Sequence, residues 1–247
     1  MLIVGEMKLS DVIHHDYTLV PVINRFDIQL GFGDGTIEEI CQEKDINLGF
    51  FLTIINTFHD QQYFPMEYLK SFPAKVLIKY LRKAHIFYLE TKIPEIHKLI
   101  DSLMELGKNN RKTISLIQKF FDDYVGEFTS HVEREEKVVY PYVIKLENAI
   151  EKLHNDVSFM EEMKTYSISN YEDDHEDIEE KLFDLKSLLI KYLHIEDDNS
   201  EVFQEISYKL LRELFVLEKE LNEHSRIEDL ILVSKVEDME NQFKSRV

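Results

Sequence analysis

The sequence has no tryptophan, one cysteine, and only 7 glycines and 5 prolines in 247 residues. The lone Cys41 excludes an internal disulfide framework and any all-cysteine zinc or iron–sulfur site. So few turn-forming residues cannot serve a sheet protein built on many tight turns, and a mostly helical chain is expected. Positive charge is scarce too: 29 Lys and Arg stand against 48 Asp and Glu, a net charge of −19. That field repels phosphate backbones and anionic lipid surfaces, so neither nucleic acid nor a membrane is expected as a partner. No run approaches the roughly 18 apolar residues of a membrane span. The opening MLIVGEMKLSDVIHHD lacks the basic start and long apolar stretch of a signal peptide. A cytoplasmic protein is expected.

What is present is 44% hydrophobic residues, enough for a core, arranged in two regions. Residues 1–60 hold short helical patterns in MKLSDVIHH, TIEEICQEK and NLGFFLTIINTF, and read as a small helical N-terminal domain. Thr36 and Glu39, after the turn Gly31–Gly35, have capping-box spacing, which starts a helix at Thr36. Residues 61–73, with Pro65 and Pro73, break the periodicity and read as a linker. From Ala74 to the end, four long amphipathic stretches follow, at about 74–106, 112–142, 168–194 and 201–235. Short connections at Gly107–Asn110 and Ile195–Ser200 argue for an antiparallel up-down four-helix bundle, all-α overall. Pro94 should kink or divide the first helix. The piece after Pro141 reads as irregular, with a helical extension as the alternative.

Each long stretch carries an inward stripe in steps of three and four. The first runs Ile78, Leu81, His85, Leu89, then Ile96, Leu99 and Leu103. The second runs Phe121, Tyr124, Phe128, His131, Glu135, Val138 and Tyr142. The third runs His175, Ile178, Leu182, Leu185, Leu189 and Tyr192, and the fourth Leu217, Leu221, His224, Glu228 and Ile231. Every stripe therefore contains one histidine, and two add a glutamate one turn on.

The spacing His-x-x-x-Glu is weak alone, because 10 histidines among 30 glutamates should form about one such pair by chance. Three occur, and the stripes separate them. Glu135 and Glu228 fall on buried positions, whereas the inward residue after His175 is Ile178, leaving Glu179 on the flank. Counted from the bundle ends, His85, His131, His175 and His224 lie within about 6 Å of one level. His175 follows His85 by 90 residues and His224 follows His131 by 93, so the pattern has two similar halves.

Buried carboxylates and imidazoles are costly alone, and a cation offsets both costs. Four imidazoles with two carboxylates able to bridge suit two ions about 3.5–4 Å apart. Imidazole and carboxylate without thiolate point to iron first, with manganese or zinc fitting the same donors. Glu127, one turn before His131, and Asp174, beside His175, are placed to orient ligands or relay protons. His14, His15, His59, His97, His154 and His194 have no matching constellation and read as structural. A bundle with an internal polar cluster and no metal is the bland alternative.

HVEREEKVVYPYV (131–143) and NEHSRIEDLILV (222–233) resemble the two His-x-x-x-Glu helices of hemerythrin-like, cation-binding di-iron proteins. With His85 and His175 added, the pattern is similar to the branch that repairs iron–sulfur centres. The resemblance implies two non-haem iron ions, carboxylate- and oxo-bridged. His85, His131, His175 and His224 would be terminal ligands, with Glu135 and Glu228 bridging. It further implies a role in nitrosative or oxidative stress, with NO or O2 as small ligands and damaged iron–sulfur proteins as partners. Reversible oxygen carriage is disfavoured, since the oxygen carriers use five histidines. Residues 5–58 are similar to the small domain preceding the bundle in that branch, which normally carries a Cys-Cys pair. Here Gly31 and Phe32 stand at about that place, with Cys41 in the next helix. The residues leave catalysis, iron delivery and non-enzymatic sensing open.

Overall fold

A computed structural model describes residues 1–151, 168, 175–194 and 201–245, and of 175–179 the backbone only. The described chain is helical, with one isolated antiparallel bridge between Lys8 and Thr36. Helix α1 spans Leu9–His15 and α2 Val20–Asn24, joined by a 3-10 turn at Tyr17–Leu19. Helix α3 spans Ile37–Glu43, and the capping box is formed: Thr36 accepts from the Glu39 amide while the Glu39 carboxylate accepts from the Thr36 amide. Helix α4, Leu48–His59, starts on the side chain of Asn47. Short α2 and α5, Met66–Ser71, are additional to the expected elements, and α5 lies inside the stretch read as linker.

The first long rod is α6 (Ala74–Phe87), a π-helical turn (Tyr88–Lys92) and α7 (Ile93–Leu106). The second is α8 (Arg111–Arg134), a π turn (Glu135–Val139) and α9 (Tyr140–Glu151). Helix α10 spans His175–Tyr192. The last rod is α11 (Glu201–Ile227), a π turn (Glu228–Val233) and α12 (Ser234–Lys244). Helix α7 packs on α8 and α11, and α10 packs on the same two, so each of the four touches two others. Between α7 and α8 the turn needs Gly107, where a Cβ would collide with Ile114 and Phe203.

Both prolines within the rods follow π turns. The carbonyls their rings would crowd, those of Glu90 and Lys137, lie four residues back inside those turns, where the α-helical ladder is already rearranged. The helix therefore continues through Pro141 to Glu151, where an irregular piece was expected. The π turn also advances the inward register by one residue. Val138, expected inside, is 44% exposed, and Val139 and Tyr140 are buried instead. Two other stripe positions also differ from expectation, without this advance: Tyr88 rather than Leu89 is fully buried after His85, and Leu193 rather than Tyr192 closes the third stripe.

Apolar side chains form two clusters. One joins the N-terminal segment (Leu9, Ile23, Phe51, Ile54) to one end of the rods (Leu77, Val143, Val236), and the other fills the rest (Ile100, Phe121, Leu185, Leu214). Along the rods the switch falls between Leu81 and Ala84, between Val132 and Val139, and between Leu221 and Ile227. A polar layer inside the rods separates the two clusters. A buried cation spans the junction. Arg25, just past α2, donates to the Tyr80 hydroxyl at 2.9 Å and pairs with Glu220, with its guanidinium over the rings of Phe58, Tyr80, Phe87 and Tyr88.

Candidate metal centre

The polar layer is made where the π turns sit. His85 precedes the first by three residues, and Glu135 and Glu228 each open one. Such turns occur mostly as single-turn bulges at functional positions, because they re-aim side chains within an otherwise regular helix. Donor atoms of His85, Glu135, His224 and Glu228 all lie within 4.8 Å of one another, and all four residues are buried. His85 Nε2 is 3.1 Å from Glu135 Oε2 and 3.2 Å from His224 Nε2. The other oxygen of Glu135, Oε1, is 2.9 Å from His131 Nε2, so this carboxylate spans two imidazoles. Glu228 Oε2 is 3.2 Å from His224 Nε2. Three imidazole nitrogens and two carboxylates thus converge from three rods.

Around this set lies a ring of residues that the stripes did not reveal. Glu136 Oε1 is 3.0 Å from His85 Nδ1, and its Oε2 accepts from Arg82 at 2.8 Å. That carboxylate directs the Nδ1 proton and leaves His85 Nε2 facing the centre. Although burial raises it, hydrogen bonds from His85 and Arg82 hold the Glu136 carboxyl below its usual range. Burial pulls the His85 imidazole down, but Glu135 and Glu136 outweigh it and raise it to about 9. Tyr140 donates to Glu228 Oε1 at 2.5 Å, and its ring stacks on His85 at 5.7 Å. Tyr88 donates to the Glu220 carbonyl and sets its ring edge-on to His224. A 100° helical wheel puts Glu136 off the stripe, and Tyr140 reaches the layer only through the register change. The doubled Glu-Glu and the YPY sequence were the only hints.

Of the other expected site residues, His131 lines the inner edge of a cleft beside Tyr124 and Ser130. Glu127 is on the rim of that cleft, where its carboxylate pairs with Lys181. The backbone of His175 opens α10. Its side chain, like Asp174 and His154, lies outside the described residues. Glu179 has its backbone in α10 and its side chain likewise outside. Among the histidines read as structural, His59 pairs with Asp16 at 2.7 Å and His97 packs edge-on to Phe121.

The donor set fits a cation. Glu135 and Glu228 are both 0% exposed, and their carboxyl groups lie against imidazoles, two of which bring their Nε2 atoms within 3.2 Å of each other. The Nδ1 of buried His224 has no hydrogen-bond partner among the described residues. Without a cation such a cluster favours taking up protons, the direction in which Glu135 and Glu136 push His85. A model for the hemerythrin HHE cation-binding domain matches residues 77–236. Neither curated proteins nor solved structures match the chain.

Proposed function

The chain belongs to the hemerythrin HHE cation-binding family, and on that footing we propose that its core holds two iron ions. Their ligands would be His85, His131, Glu135, His175, His224 and Glu228. These would sit in an antiparallel four-helix bundle of residues 74–247, preceded by a small domain of residues 1–60 and a linker of 61–73. The observation that carries this reading is the convergence of four buried donors from three rods within 4.8 Å, each beside a π turn. When bound, such a pair would supply redox chemistry and Lewis-acid activation of a diatomic ligand. Glu136 keeps the His85 proton on Nδ1, and Tyr140 hydrogen-bonds one arm of Glu228. The ring of Tyr88 packs edge-on against both His224 and Phe128.

On this reading the protein serves in the cytoplasm under nitrosative or oxidative stress, handling NO or supplying iron to damaged iron–sulfur clusters. A second reading, a non-enzymatic sensor of oxygen, NO or iron, is favoured by Arg25. It ties the N-terminal segment to Glu220, one turn from His224, and would carry a change at the centre outward. The test is metal content per chain after purification without oxygen, with absorption spectra before and after air and NO. About two irons and bands that respond to NO support the di-iron reading. No stoichiometric metal after ferrous reconstitution sinks it and leaves a metal-free bundle. Turnover of NO with an electron donor favours the enzyme, and ligand-dependent partner binding without turnover the sensor.

A further inference from the structure

Away from the polar layer, a cavity of about 540 Å³ lies between the N-terminal segment and the first rod. Its size falls in the range of small-molecule sites, roughly 300–1,000 Å³. The rings of Phe26, Phe50 and Tyr80, packed on one another with centroids 5.5–6.2 Å apart, provide an aromatic wall, extended by Val76. The rim is cationic in a protein of net charge −19: Lys44, Lys75 and Lys79 all line it. The N-terminus of α4 opens at the same place through Asn47, adding the positive end of a 12-residue helix. Arg25 lines the cavity as well; it is 5% exposed, and its Nε has no hydrogen-bond partner among the described residues.

Two acids also line the cavity. Asp27 is paired with Lys83 at 2.7 Å, and Asp45 follows Lys44 in the chain. Lys75 reaches Glu151 at 3.3 Å, which leaves Lys44 and Lys79 as the lining lysines without an ion pair among the described residues. Asp27 and Asp45 are also the only non-glycine residues with positive φ among those described, at 61° and 52°. Strained backbone of this kind is enriched at ligand sites, and here both instances border one cavity.

We infer that this cavity binds a small organic anion: a carboxylate or phosphate head at Lys44, Lys79 and the start of α4, with an aromatic body against Phe26, Phe50 and Tyr80. The inference does not depend on metal in the core. It is tested by calorimetric titration of the full chain with 3-phenylpropionate and phenyl phosphate, with 3-phenylpropanol and inorganic phosphate as controls. Saturable binding of at least one aromatic anion, at least about tenfold tighter than either control, is expected. The two anions distinguish a carboxylate from a phosphate head. Charge reversal by K44E and K79E together should weaken binding about tenfold or more, since two favourable contacts become repulsive. Both lysines are exposed, so the circular dichroism and melting temperature of this variant should match those of the parent. No saturable binding of either acid, equal binding of the alcohol, binding of inorganic phosphate as tight as the aromatic anions, or undiminished binding in the charge-reversed variant overturns the inference.

Discussion

Glu228→Gln separates a metal centre from a structural polar cluster. Glu228 is fully buried, accepts from Tyr140 at 2.5 Å with one oxygen, and places the other 3.2 Å from His224 Nε2. Glutamine has the same length, and its carbonyl keeps the tyrosine bond. The cost without metal is therefore confined to the arm facing His224, about 1 kcal/mol. A bound ion at a hundred times its dissociation constant stabilises the native state by about 2.7 kcal/mol. At about 2–4 °C per kcal/mol for a chain of this size, ferrous iron should raise the melting temperature by about 5–11 °C. Changing a residue that merely orients a ligand already weakens metal binding by about 10–100-fold. Loss of the carboxylate itself should reach at least the upper figure. At the same iron concentration, stabilisation would then fall to about 0.4 kcal/mol, a shift of about 1 °C. The assay is anaerobic calorimetry of both proteins with and without ferrous iron, with manganese and zinc in parallel. An equal metal-dependent shift in the two proteins, or none with any ion in the parent, refutes the reasoning.

Glu136→Gln removes the charged acceptor from His85 Nδ1, and chelator competition should show metal affinity lower by about 10–100-fold, while unchanged affinity would mean that Glu136 serves Arg82 alone. Arg25→Met keeps the stem among its four rings but leaves Glu220, 6% exposed, without its cation. Urea unfolding should show a loss of about 3–5 kcal/mol, and a loss under about 1 kcal/mol would contradict a buried pair. Burial pushes the Cys41 thiol up to about 11, so at pH 8 roughly one in a thousand is thiolate. Iodoacetamide should label Cys41 only in denaturant, and prompt labelling of the native chain would show that α3 opens.

Much of the buried donor cluster could be read from residue order because burial and chemistry pull in opposite directions there. Histidine and glutamate on an apolar stripe violate the pattern around them, and that violation is visible without coordinates at His85, His131, Glu135, His224 and Glu228. The boundaries of the rods at Ala74, Leu106 and Arg111 were equally legible, since Pro73 and Gly107 punctuate them. The capping box at Thr36 is a local bond between neighbours in sequence, and it forms as its spacing requires.

The π turns were not legible, because a single extra residue in a helix leaves no mark in a pattern that already alternates steps of three and four. Val138 was therefore expected inside, and the roles of Tyr140 and Glu136 stayed hidden. Arg25 was passed over for a related reason. An arginine in a short irregular segment looks like a surface charge, and its place among four rings depends on elements 55 and 195 residues away. Periodicity and chemical type are properties of short stretches, so residue order alone is enough to predict helices, an acidic surface and a cluster of metal-type donors. Register across a π turn, the partner of each carboxylate, and the meeting of the N-terminal segment with the first rod depend on contacts between distant residues. Those are set by packing in three dimensions, which no local pattern encodes.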